Sequence, residues 1–189
     1  MKKILVIDNY DSFVYNLVHY LEALDCEVTV RRNNQINLDE IEDFDKILLS
    51  PGPGIPDEAG LLKQIIQTYA PTKSIFGVCL GLQAIGEVFG GGLTNLNNVY
   101  HGVATQVKKT TAIEPLFTGL QQEFSVGRYH SWVVSNEDIP QCLKVTAYDQ
   151  NGQIMALRHD TYDVCGVQFH PESVLTPDGK KILENWITL

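Results

Sequence analysis

The chain has 189 residues, enough for one domain over 1–189 with a sizeable core. Hydrophobic residues are 44% and charged residues 20%, ordinary globular proportions, and a formal net charge of −9 argues against a nucleic-acid surface or an anionic membrane surface, which need clustered Lys and Arg. The first apolar run, "ILVI", is cut short by Asp8 and Asp11, and no later run reaches the length of a membrane span. A cytoplasmic protein is expected, with no nucleic-acid or membrane partner.

In chain order, "KILVID" (3–8) is a continuous apolar run, the pattern of a strand buried on both faces. Residues 11–24 carry Phe13, Leu17, Tyr20, Leu21 and Leu24 at helical spacing, with Asp11 or Ser12 as cap. Strands are expected at 27–30 and 46–50, a helix at 57–70, a strand at 74–78 and a helix at 80–90. This alternation implies a parallel sheet with helices on both faces. The second half changes character. Segments 102–110, 124–129, 131–135, 143–149, 153–159 and 164–169 are strand-like, and Asn151-Gly152 is a hairpin signal. A helix over 178–189 closes the chain. The expected class is α/β: a flavodoxin-like three-layer fold, its central sheet mainly parallel with added antiparallel strands.

The four cysteines, Cys26, Cys79, Cys142 and Cys165, form no C-x-x-C pair, which argues against a zinc or dithiol redox site, and no metal ligands are assigned. Cys79 stands out. It sits in "FGVCLGLQ", at a strand end directly before a helix, with Gly77 and Gly81 two residues to either side. Small flanking residues permit the sharp strand-to-helix turn that lifts a nucleophile above a sheet, and the helix N-terminus favours thiolate. A small buried core residue is the plainer alternative. A base is offered by His170 in "FHPES", again at a strand end, with Glu172 two residues on. If Pro171 keeps the chain extended, both side chains point the same way and the carboxylate orients the imidazole. "SPGPG" (50–54) follows the third strand. Its Gly52 and Gly54 allow unusual backbone conformations that can present an N–H to an oxyanion, or they merely end the strand. His19 and His159 read as surface or packing residues. The polar run 8–12 reads as an acidic cation site or as a helix cap.

Taken together, "SPGPG", "GVCLGLQ" and "GVQFHPES", in that order, resemble the triad-type (class I) glutamine amidotransferases, over essentially the whole chain. "DNYDSFVYNLV" and "GRYHSWVVS" are similar to the glutaminase subunits that serve anthranilate synthase and aminodeoxychorismate synthase. The resemblance implies a Cys79 nucleophile, His170 as proton carrier and Glu172 as its orienter. It places oxyanion N–H groups at Leu80 and Gly54. It lines an L-glutamine pocket with Gly52, Pro53, Gly54, Gln83, Ser131 and Trp132, the last two through backbone atoms. His130 would shape the pocket or the partner interface, and the 8–12 loop would face the partner. That partner is a chorismate-binding synthase subunit, which would need Mg2+; this chain needs no cofactor. The chain departs from the family pattern at Val14 (commonly Thr), Trp132 (Leu) and Val103 (Lys), leaving the triad untouched. Two other readings are a stand-alone cysteine hydrolase of γ-glutamyl bonds and a non-enzymatic flavodoxin-like module.

Overall fold

The computed structural model describes residues 1–189. Its first half alternates strands and helices as the apolar runs require: β1 (Lys3–Asp8), α1 (Val14–Glu22), β2 (Glu27–Arg32), β3 (Lys46–Leu49), α2 (Leu62–Tyr69), β4 (Ser74–Val78) and α3 (Leu80–Val88). Then follow β5 (Leu93–Asn95), β6 (Val103–Lys109), β7 (Glu123–Arg128), β8 (Trp132–Val134), β9 (Leu143–Asp149), β10 (Ile154–His159), β11 (Val164–Val167) and α4 (Gly179–Thr188). Nine strands form one sheet in the order β2-β1-β3-β4-β11-β10-β9-β6-β7. From β2 to β11 neighbours pair in parallel, and from β11 to β7 they pair antiparallel.

The continuous apolar run of β1 is explained by a core on each face. Ile4 and Val6 point into a cluster filled by Leu17 and Leu21 of α1 and Ile182 and Trp186 of α4. Leu5 and Ile7 point into the other, filled by Leu62 and Ile66 of α2 and Leu82 and Ile85 of α3. Alternate residues therefore face opposite layers, the period-two geometry of a strand. The mixed three-layer α/β architecture is the one the sequence implies. No helix is long and apolar enough to cross a membrane.

Three local expectations are corrected. Helix α1 begins at Val14 rather than at 11, because the Asp11 carboxylate accepts the Phe13 N–H and builds a turn ahead of the helix; Ser12 caps nothing. The helical segment at 57–70 splits into a short 3-10 turn at Pro56–Glu58 and α2, with Gly60 at φ +54° between them. Segment 131–135 leaves the large sheet as β8 and pairs with β5, a strand hidden by the glycines before it. Val14 is a fully buried core residue, so its departure from the family pattern is a matter of packing, whereas Val103 is exposed.

Candidate active site

Parallel strands leave their carboxyl ends along one edge, where ligand sites of open α/β sheets gather. Cys79 follows β4 there and begins α3. Its backbone lies at φ 53°, ψ −102°, strained for a residue with a side chain. The flanking glycines are required by space. A Cβ on Gly77 would stand 2.5 Å from the Gly81 carbonyl carbon, and one on Gly81 would stand 2.6 Å from the Leu49 oxygen. The Cys79 N–H donates to the Val167 carbonyl at 2.8 Å, tying the elbow to β11. Leu80 is the first residue of α3, so its N–H has no acceptor within the helix.

The Pro-Gly-Pro-Gly turn is held from below. Asn9 donates its N–H to Ser50 Oγ at 2.9 Å and its side-chain amide to the Ser50 carbonyl at 2.7 Å, and accepts from Asn33 at 3.0 Å. The loops after β1, β2 and β3 are thereby one unit. Gly54 adopts φ +73°, as the glycine reading requires. Gly52 does not; its constraint is proximity, since a Cβ there would sit 2.6 Å from Asn9. In the 8–12 run, Asp8 accepts the Tyr10 N–H and Asp11 the Phe13 N–H, local turn bonds rather than a shared cation site.

His170 and Glu172 meet, but not along an extended strand. The Ser173 N–H donates back to the His170 carbonyl at 3.1 Å, so residues 170–173 form a tight turn with Pro171 at its second position. This turn sets His170 Nδ1 2.5 Å from Glu172 Oε1, both residues buried. Burial opposes the imidazolium, but the Cys79 sulfur and the Glu172 carboxylate outweigh it and the pKa is pushed up to about 10. His170 Nε2 and Glu172 Oε2 are buried without a formed hydrogen bond, so Nε2 is the ring nitrogen left without a partner. Active-site hydrogen bonds are commonly loose before substrate arrives.

A cleft of about 210 Å³ opens over Cys79. Gly52, Pro53, Gly54, Gln83, Ser131 and Trp132 all line it, while the Leu80 side chain turns into the core. The carbonyls of Ser131 and Trp132 are already engaged, accepting from the Leu96 N–H at 2.7 Å and from Gln83 Nε2 at 2.9 Å. His130 lines the cleft without approaching the role of base. Burial and the adjacent Arg128 charge lower its pKa to about 3. His159 is a packing residue, stacked on Tyr162, and His19 is exposed.

Residues that the sequence did not single out complete the wall. Arg128 is fully buried at the end of β7, donating to Asp149 at 2.6 Å, to Gln153 at 2.5 Å and to His130 at 3.0 Å, with the Tyr100 ring 3.6 Å away. Nothing in the sequence ties Arg128 to Asp149 across the sheet, with β6 between their strands. Tyr129 packs its ring 4.8 Å from that of His170 and bonds Ser173 at 3.0 Å. It lines both the cleft and a smaller cavity of about 120 Å³ floored by His170 and Glu172 and edged by Phe13 and Val174. Gln168 was legible in principle. It lies two residues before His170, the strand spacing that repeats a face.

The model of the family "Glutamine amidotransferase class-I" matches residues 5–189. Aminodeoxychorismate/anthranilate synthase component 2 of Bacillus subtilis is 46% identical over 97% of this chain and 95% of its own length. Anthranilate synthase component 2 of Pseudomonas aeruginosa is 44% identical over 97% and 94%. A solved structure from Thermoplasma acidophilum, named for a GMP synthase, superimposes with a TM-score of 0.89 at 28% identity, covering 100% of this chain and 93% of that one.

Proposed function

This chain belongs to the class-I glutamine amidotransferases, among the glutaminase subunits of the anthranilate and aminodeoxychorismate synthase family, and from that premise we propose that it hydrolyses L-glutamine through a Cys79 thioester and passes the ammonia to a synthase subunit that aminates chorismate to anthranilate. The observation that carries the reading is the strained Cys79 elbow beside a His170 held as imidazolium by Glu172. The imidazolium supplies the positive charge that favours a thiolate nucleophile beside it. The thiolate attacks the side-chain amide carbon, and the Leu80 and Gly54 N–H groups, neither engaged within the protein, face the developing oxyanion. His170 gives its proton to the departing ammonia, then takes one from the water that hydrolyses the γ-glutamyl thioester, releasing glutamate and restoring the pair. No metal or organic cofactor enters these steps. Gln83 Oε1 makes no bond within the protein and is free to accept from the substrate.

Exposed apolar side chains border the site: Val99 at the cleft, and Phe13 and Val174 at the smaller cavity, the last 91% exposed. Their place at the mouth of the cleft and of the smaller cavity suits a docked synthase that keeps ammonia from solvent. Glutaminase activity is accordingly low until that synthase docks; equal turnover by the isolated chain contradicts this. The specific observation favouring a second reading is the Bacillus subtilis relative, whose name joins both synthases. Reconstitution with each candidate synthase, chorismate and glutamine decides between them, by whether anthranilate, aminodeoxychorismate or both appear.

A further inference from the structure

We infer that Gln168 is a further catalytic residue: its side-chain amide N–H holds the Cys79 sulfur as thiolate, in an orientation set by a one-way chain of hydrogen bonds that runs from the Trp132 carbonyl through Gln83. The inference rests on the reading of Cys79 as nucleophile. Gln168 is fully buried just past the end of β11, its backbone N–H bonded to the Met155 carbonyl, and its Nε2 lies 3.4 Å from Cys79 Sγ.

An amide can present either end to a sulfur, and here the neighbours choose the end. Arg128 has only donors. Two of its nitrogens are spent on Asp149 and Gln153, and its Nε–H points at His130 Nε2 at 3.0 Å. That ring nitrogen must accept, so the hydrogen is on Nδ1, which donates to the Trp132 carbonyl at 2.9 Å. The low proton affinity of His130 keeps this tautomer neutral. A carbonyl only accepts, so Gln83 turns its Nε2 toward the same oxygen at 2.9 Å. The second hydrogen on Gln83 Nε2 reaches Gln168 Oε1 at 3.2 Å. Gln168 must therefore offer its oxygen to Gln83 and its NH2 to sulfur. The Trp132 carbonyl cannot donate, so each link from it to the sulfur is fixed, while Arg128 and His130 add a second donor to that carbonyl.

A donor aimed at sulfur stabilises the charged form over the thiol. The bond weakens as the C–S bond forms and sulfur loses its charge. It strengthens again as the tetrahedral adduct of water and thioester collapses, carbonyl re-forming and the electron pair returning to sulfur. Gln168 thus favours both the resting thiolate and its departure.

The test is the pH dependence of Cys79 alkylation by iodoacetamide in the full chain, read on the Cys79 peptide by mass spectrometry. Gln168→Leu is expected to raise the midpoint by about one pH unit, a tenfold loss of thiolate, as removal of one donor to a charged group implies. Gln168→Glu, which cannot donate when ionised, raises it further. Gln83→Met leaves Gln168 in place but frees its amide to turn, and gives a smaller shift in the same direction. Unchanged midpoints in variants that retain the parent circular dichroism and melting temperature overturn the proposal. Should the Gln168 variants not fold, the Gln83→Met midpoint decides: a rise supports the chain, and no change refutes it. Failure of the underlying reading shows separately, as glutamine hydrolysis that survives Cys79→Ser in the synthase complex.

Discussion

The two walls of the cleft position their groups by different means. On the parallel side, backbone does the work. Cys79 is strained into the left-handed region, Gly77 and Gly81 let α3 press against the sheet, and Gly54 bends the turn opposite. On the antiparallel side, a buried ion pair does it. Arg128 and Asp149, both inaccessible, orient His130 and through it the Trp132 carbonyl. The contrast is sharpest in two buried histidines beside one cleft. Carboxylate and sulfur make His170 a persistent cation, with a pKa of about 10; burial and an arginine make His130 a permanent neutral, at about 3. Identical side chains take opposite charge states because of what stands next to each.

The largest break in this comparison is Glu172→Gln. It removes the charge that holds His170 protonated and oriented, so glutamine-dependent kcat/KM in the synthase complex should fall by about 10²- to 10⁴-fold, with ammonium-dependent synthesis unchanged. Arg128→Met attacks the other wall. It strands Asp149 and His130 without their partner, and urea titration should show a loss of about 3–5 kcal/mol. Gly81→Ala tests the backbone side. The added methyl meets the Leu49 backbone, which cannot swing aside, and the expected cost is about 1–3 kcal/mol in the same titration.

Much of this was legible beforehand, for identifiable reasons. The strands of the parallel half carry uninterrupted apolar runs because both faces are covered, so β1, β3 and β4 could be read directly. Cys79, His170 and Glu172 announce themselves by residue type at strand ends. The turn that joins His170 to Glu172 was not legible. His-Pro-x-Ser permits an extended chain or a turn, and the bond from the Ser173 N–H chooses. Nor was the Arg128–Asp149 pair, whose members lie on β7 and β9 with β6 between them in the sheet. Such pairings are decided by register, which a single sequence states only faintly. Gln168 had the right spacing but an unremarkable side chain, and only its neighbours give it a role.

The smallest effect concerns pH. The two histidines should tilt stability in opposite directions. His170, raised above 6.5, contributes stability that is present below that pH and is lost as pH climbs toward about 10. His130, lowered from 6.5 to about 3, works the other way: the unfolded chain takes up a proton that the folded one refuses, so stability drops as pH falls through that window. Thermal melts of His130→Gln should therefore show a flatter acid limb than the parent and an unaltered alkaline one. An acid limb of unchanged slope would place the titrating group elsewhere.

The central proposal is that the Cys79 sulfur takes the γ-glutamyl group from glutamine and expels ammonia. Its most direct test is the Cys79→Ser protein reconstituted with its synthase, assayed side by side with glutamine and with ammonium as nitrogen source. Glutamine-dependent product should vanish, while ammonium-dependent product continues at the parent rate. Glutamine-dependent product that persists in the variant would contradict the account at its centre.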